Sequence, residues 1–314
     1  RTTVHRHLNR LVRDGKIIKS GTTRQAKYFL KTEKNKKFQI PLEPGIAEDE
    51  VWKENFLQDF ETLSKNILEI CEYGFLEMLN NAIDHSEGTG VVIKTIWASD
   101  SVTIAIRDNG IGIFRKIKNA LELDNERESI LDLSKGKFTT DQENHTGEGI
   151  FFTSRAFDIF HIVSRGISYI RTNWDEDWFV ETMKDENVPG TGLIMKIALD
   201  SKRKMQKVFE EFVEENPEGM PKFDRTHILV QLSQLGDERY VSRSQARRIC
   251  LGLEKFKHVV LDFKDISTVG QGFVDEVFRV FQSKHPGIKI TYTNANDDVR
   301  FMIERSLPAL EEEK

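Results

Sequence analysis

Three short segments follow one another in the middle of the chain: Glu77-Met-Leu-Asn-Asn81-Ala-Ile-Asp84-His85, Arg107-Asp108-Asn109-Gly110-Ile-Gly112 and Gly147-Glu-Gly149-Ile-Phe. The first lies in a stretch with helical periodicity, so Glu77 and Asn81, four residues apart, share one face, and Asp84 and His85 extend it. Strand-like runs at 91–97 and 102–106 lead into the second, where the chain turns tightly on glycine. In the third, glycines stand just before an apolar helical run. A chain that carries a polar helix face, a carboxylate at a strand end and a glycine-headed helix in that order must be mixed α/β through its centre.

The residue types point to phosphate and base chemistry. A carboxylate and an amide on one helix face suit a hard Mg²⁺ ion that keeps most of its waters and bridges phosphates, with Asn81 as ligand. Glu77 is then the base that orients or deprotonates an attacking water. Asp108 can accept from the exocyclic amine of adenine, where guanine carries a carbonyl, so ATP and ADP should bind and GTP should be refused. Gly110 and Gly112 let the backbone lie close to a flat base, and the N–H groups at Gly147 and Gly149 are free for phosphate oxygens. Residues 114–146, polar and rich in Lys and Glu, read as a long loop in which Lys137 could reach a γ-phosphate. An apolar stripe of Trp52, Phe56, Phe60, Leu63, Ile67 and Ile70 predicts helix from Glu48 to about Ser86.

These motifs resemble the GHKL ATPase superfamily, the left-handed ATP fold (Bergerat fold, an α/β sandwich) of DNA gyrase B, a class of heat-shock chaperones, histidine kinases and MutL. The resemblance covers about residues 48–200. It implies that Glu77 is the catalytic base, Asn81 the magnesium ligand, and Asp84 an acidic position of the gyrase-like branch. It likewise implies that Asp108 reads adenine, that Gly110 and Gly112 form its glycine loop, that Gly147 and Gly149 end the lid, and that Thr191 is the strand threonine near the base.

The flanks differ from this centre in charge. Residues 1–38 hold 12 Lys/Arg against 2 Asp/Glu, a net +10 in a chain whose total is −5; such a segment suits a polyanion. Val4, Leu8, Leu11 and Val12 mark one face of a helix ending near Asp14-Gly15, and a basic hairpin follows. The arrangement resembles the second half of a winged helix-turn-helix, recognition helix first and wing second. Thr3, Arg6, Asn9 and Arg10 would then face the major groove of duplex DNA, and Lys19 and Lys27 its phosphates. The same surface would also serve protein contact. Residues 39–47 read as a linker, overlapping a longer polar and proline-bearing stretch from 31 to 46. The chain opens with Arg1 inside this helix, so we expect a piece of a longer protein.

At the other end, residues 201–222 read as a second, charged linker, and 223–314 alternate strand and helix, as in a small α/β domain. Val259-Val-Leu-Asp-Phe263 followed by Asp265-Ile-Ser-Thr-Val-Gly-Gln-Gly272 is similar to a STAS domain, the fold of anti-sigma-factor antagonists. It is closer still to an uncharacterised STAS-like family that often follows GHKL modules. Where those antagonists carry a phosphorylated Ser, this chain has Gly272 or Val269, neither of which takes phosphate; Ser267 and Thr268 lie nearby.

No apolar run is long enough to cross a bilayer and no leader is evident, so a cytoplasmic protein is expected. Cys71 and Cys250 lack metal-ligand spacing and read as reduced and buried. Together these readings predict an ATP-binding regulator whose GHKL domain controls a DNA-binding module and a STAS-like surface for a protein partner. A Ser/Thr protein kinase acting on a partner is the alternative. A mechanical ATPase driven by nucleotide-dependent homodimerisation is a third reading, although the long transducer domain of such enzymes is absent.

Overall fold

The structure is a computed structural model; it describes residues 2–14, 17–20, 26–30, 35–138, 147–174, 178–182, 188–215, 221–233, 240 and 242–306. The protein is mixed α/β, and its contacts divide it into two units, each made of two stretches of chain: residues 1–111 with 156–203, and residues 112–155 with 204–314. The division cuts across the 48–200 span that the motifs suggested as one domain.

The first unit begins with α1 (Thr2–Arg13) and the antiparallel hairpin β1 (Ile17–Ser20) and β2 (Lys27–Leu30). Leu8, Leu11 and Val12 are half-buried, whereas Val4 at the head of the same stripe is 65% exposed. Three helices follow, α2 (Glu48–Asn55), the single turn α3 (Leu57–Phe60) and α4 (Lys65–His85), and the strands form an antiparallel sheet in the order β3 (Lys36–Pro41), β4 (Gly90–Trp97), β5 (Ser101–Asp108), β9 (Thr191–Ala198), β6 (Ile159–Ser164), β7 (Ile167–Thr172) and β8 (Trp178–Thr182). Strict alternation sets the faces: Val91, Ile93, Thr95 and Trp97, Val102, Ile104 and Ile106, and Leu193, Met195 and Ile197 are all buried, while the residues between them within each strand are partly or fully exposed. Ile67, Ile70, Phe75, Met78 and Leu79 of α4 complete the core. Gly74 is what lets this helix sit so close, since a Cβ there would run into the Phe157 ring.

Two expectations are corrected in this unit. The stretch from Glu48 to Ser86 is not one helix: Ser64 takes an extended backbone (φ −61°, ψ 146°) and starts α4 afresh. The break lets the earlier turns fold back, so that Trp52 meets Phe60 and Phe75 at 4.9 Å and Phe60 meets Trp97 at 4.9 Å. The stretch read as a linker begins in a strand. Lys36–Pro41 pairs with β4 in the register Phe38 to Ile93, and Lys36 binds Asp59 at 2.7 Å.

In the second unit, residues 112–138 form α5 (Ile113–Leu121) and α6 (Glu128–Lys135) where a long loop was expected. Phe114 and Ile117 on α5 and Ile130, Leu131 and Leu133 on α6 are buried, the Ser129 hydroxyl donates to the Phe114 carbonyl at 2.8 Å, and Arg115 pairs with Glu126. The stretch thus holds an amphipathic helix, α5, and an almost wholly buried one, α6, in a sequence rich in Lys and Glu. Residues 139–146, with Thr139 and Thr140, lie outside the described residues. Then come α7 (Gly149–Ala156, its last residue counted with the first unit), α8 (Met205–Phe212) and a short hairpin, β10 (Val213–Glu215) with β11 (Pro221–Phe223). These last elements occupy the stretch read as a second linker. A parallel three-stranded sheet follows, in the order β12 (Arg225–Leu229), β13 (His258–Asp262), β14 (Lys289–Thr293). Around it stand α9 (Arg243–Cys250), the run α10 (Gln271–Val274), a π-helical turn (Asp275–Phe281) and α11 (Gln282–Lys284), and α12 (Asp297–Ser306). Ser242 and Gln245 close a capping box at the start of α9.

Phe151, Phe152, Phe212 and Phe223 make the centre of this unit. Phe151 lies 4.5 Å from Phe223 and 5.0 Å from Phe212, and the Arg155 guanidinium stacks 3.3 Å from the Phe151 ring. Residues 129–135 and 149–155 therefore pack on the chain that follows residue 204. Among the described residues, no helix is long and apolar enough to cross a membrane.

Candidate functional site

Asp108 is the focus of the first unit. It closes β5, is 6% exposed, and its Oδ1 accepts from the N–H of Gly110 at 2.8 Å and of Thr191 at 3.1 Å. Burial pushes its carboxyl above the ordinary range, against the pull of those two donors. The surrounding backbone is shaped by glycine at two places. A Cβ on Gly110 would collide with the Ser86 carbonyl, and one on Gly190, at φ +83°, with the carbonyl of Asp108 itself. No side chain fits at either position, so the carboxylate stands in a cradle of bare backbone.

The cradle is tied to the end of α4. Ile111 N–H donates to the Ser86 carbonyl at 2.8 Å, and Ser86 Oγ accepts from Gly88 N–H at 3.0 Å. Asn109 accepts from the N–H groups of Thr89 and Gly90 at 2.8 and 3.1 Å, and Ser164 Oγ donates to the Gly190 carbonyl at 3.0 Å. Ser86, Gly88, Asn109, Ser164 and Gly190 are positioning residues that the motif reading did not single out. Their signal lies in pairing between segments distant in sequence, which no local pattern displays.

Of the residues expected to bind nucleotide, the fold brings Asp108, Gly110 and Thr191 into direct contact. Glu77, Asn81 and Asp84 lie on successive turns of α4, the first two half-buried and the third exposed. Among the described residues no three His, Cys, Asp or Glu side chains gather as a metal site.

The remaining candidates lie in the second unit. Gly112 (φ +90°) precedes α5, Gly147 (φ +71°) could carry no Cβ because of the Phe138 backbone, and Gly149 is the first residue of α7. Lys137 Nζ donates to the Lys255 carbonyl at 2.8 Å and to Asp224 Oδ1 at 3.3 Å, over the rings of Phe223 and Phe256. Its neighbour Lys135, unnoticed in the sequence, is 2% exposed and donates to Asp132 Oδ1, the Arg248 carbonyl and the Leu251 carbonyl at 2.9, 3.0 and 2.8 Å. It thereby caps the C-terminus of α9.

At the basic end, Arg6, Asn9, Arg10 and Lys19 are exposed, and Arg10 pairs with Asp14 at 3.6 Å. The side chains of Thr3 and Lys27 lie outside the described residues. Ser267 and Thr268 are exposed in the connection after β13, and Gly272 is in the first turn of α10.

Residues 245–300 match a family described as a STAS-like domain of unknown function (DUF4325). The matched stretch contains β13, α10, the π-helical turn and β14, the portion whose order suggested such a domain from sequence. No curated protein matches the chain.

Proposed function

We propose that this chain is a cytoplasmic, ATP-binding regulator of GHKL type, in which nucleotide controls an N-terminal DNA-binding module and a STAS-like surface for a protein partner. The observation that carries the reading is the Asp108 cradle. Two backbone N–H groups occupy Oδ1, which leaves Oδ2 to accept from an adenine amine, and the glycines at 110 and 190 keep side chains away from a flat base. A guanine carbonyl there would oppose an acceptor to an acceptor.

In this reading Asn81 would hold the Mg²⁺ that accompanies ATP, Asp84 would be the acidic position next to it on the same helix face, and Glu77 would orient or deprotonate the attacking water. Gly147 and Gly149 offer N–H groups to phosphate oxygens, with Gly112 turning the chain and Thr191 fixed beside the base by its bond to Asp108. The bound Mg·ATP supplies an activated phosphoryl group. Basic residues of α1 and the hairpin supply phosphate contacts to duplex DNA.

The test is incubation with γ-labelled ATP, following free phosphate and protein-bound label separately. Release of free phosphate supports a switch ATPase. Label on a protein, with Ser267 and Thr268 the exposed hydroxyls to inspect, would move the reading to a kinase, and no binding or turnover of ATP would end both.

A further inference from the structure

Gly136 and Lys137 both take left-handed backbone, φ +81° and +56°, where the chain leaves α6. A Cβ at 136 would press into the rings of Phe223 and Phe151, so the aromatic core fixes this elbow and presents Lys137 to its partners. They are the Lys255 carbonyl, the Asp224 carboxylate, and the faces of Phe256 and Phe223, 4.7 and 5.3 Å from Nζ. Asp224, 1% exposed, stands directly before β12 and also binds Lys257 at 3.1 Å, with Lys222 at 3.9 Å. Glu148, between the two glycines of the turn before α7, feels the Lys137 charge: burial raises its carboxyl and Lys137 opposes the rise.

This arrangement makes one exchange inexpensive. Asp224 retains Lys257 if Lys137 leaves, so no buried carboxylate is stranded, and Lys137 gives up one anion only if it gains another. The turn that contains Gly147, Glu148 and Gly149 is where a polyphosphate would supply that second anion.

We propose that Lys137 is a nucleotide-responsive latch: on Asp224 it pins the end of α6 to the head of the STAS-like sheet, and a nucleotide polyphosphate at Gly147–Gly149 draws the ammonium away and releases the pin. The inference rests on the ATP reading above and adds the route by which nucleotide reaches the partner-binding part of the chain. Because the contact consumes Lys137, it also restrains nucleotide affinity.

The experiment is calorimetric titration of ATP into the full chain and its Asp224→Asn, Lys137→Ala and doubly substituted forms. Asp224→Asn should tighten ATP by about fivefold, the low end of ordinary coupling between sites, and should have no effect once Lys137 is absent. Hydrogen exchange on the unsubstituted chain gives a readout that needs no variant: ATP should speed exchange in 221–226 and 253–258. An Asp224→Asn effect that is nil, or that persists in the Lys137→Ala background, or exchange unaltered by saturating ATP, overturns the latch alone. A chain that binds no ATP at all overturns the latch and the reading beneath it together.

Discussion

Asp108→Asn separates recognition of the base from support of the fold. The amide oxygen can still accept from Gly110 and Thr191, so the two backbone donors, 2.8 and 3.1 Å away, stay satisfied. What changes is the other terminus, where an acceptor becomes an NH₂ donor. Against adenine this removes one hydrogen bond to a charged group, about 1.5–3 kcal/mol, and sets two donors face to face, about 1–3 kcal/mol more. Even about 3 kcal/mol corresponds to roughly 150-fold in Kd. Asp108→Ala should lose the nucleotide equally but also orphan both N–H groups, lowering stability by about 1–3 kcal/mol for each. The pH dependence provides a second signature. Burial raises the folded-state pKa of Asp108 above its ordinary 3.8; its contribution to stability is therefore complete below 3.8 and is lost as pH rises through the raised value. Asn does not titrate, so its stability relative to Asp should grow across that window and then level off. Calorimetry with ATP, ADP and GTP, together with thermal melts from acid to neutral pH, measures both. An Asn variant that binds ATP as tightly as the parent would falsify the adenine-reading role.

The remaining predictions concern turnover, the second core and DNA. Glu77→Ala should bind ATP normally and lose hydrolysis, whereas Asn81→Ala should weaken the Mg-dependent part of binding; steady-state kinetics beside calorimetry decide, and wild-type hydrolysis by Glu77→Ala would mean another base. Lys135→Met should cost about 3 kcal/mol or more in urea unfolding, because it leaves buried Asp132 without its cation and two carbonyls at the end of α9 without a donor; an unchanged midpoint would show that the buried pair contributes nothing net. Duplex DNA should bind weakly and with a steep loss as salt rises, Arg6→Ala and Arg10→Ala reducing any sequence preference while Lys19→Ala weakens all sequences alike; anisotropy without salt dependence would reassign the basic surface to protein contact.

Sequence pattern located the elements whose burial is continuous. The runs at 91–97 and 102–106 lie within β4 and β5, and the later strand at His258 and helix at Asp297 begin where the periodicity changes. Asp108 was legible as the polar end of a buried strand because it follows an apolar run and stands two residues before Gly110. What stayed hidden has physical causes. Only Ile40 of β3 is buried, and an edge strand made of Lys, Gln and one Pro carries almost no apolar signature. Lys137 looked like any loop lysine, since its partners lie 87 and 118 residues further along the chain. The helices α5 and α6 were obscured because charged residues run through both, Arg115, Lys116 and Lys118 on α5 and the buried pair Asp132 and Lys135 on α6.

The place of β9, between β5 and β6 at the middle of the sheet, bears on how the chain is made. During synthesis, β4 and β5 emerge with one side of β5 unpaired, and the strand that covers it does not follow until residue 198 is out. At about 5–20 residues per second the interval is roughly 5–18 s. Throughout it the nascent sheet shows an open edge ending in the Asp108 cradle, whose Thr191 donor has yet to arrive. The ribosome therefore releases the Asp108 carboxylate long before it releases the strand that fixes it. In the cell, a chaperone that shields strand edges has its substrate in this interval, and a stalled message truncated between 108 and 191 should yield an aggregating product rather than a half-active one.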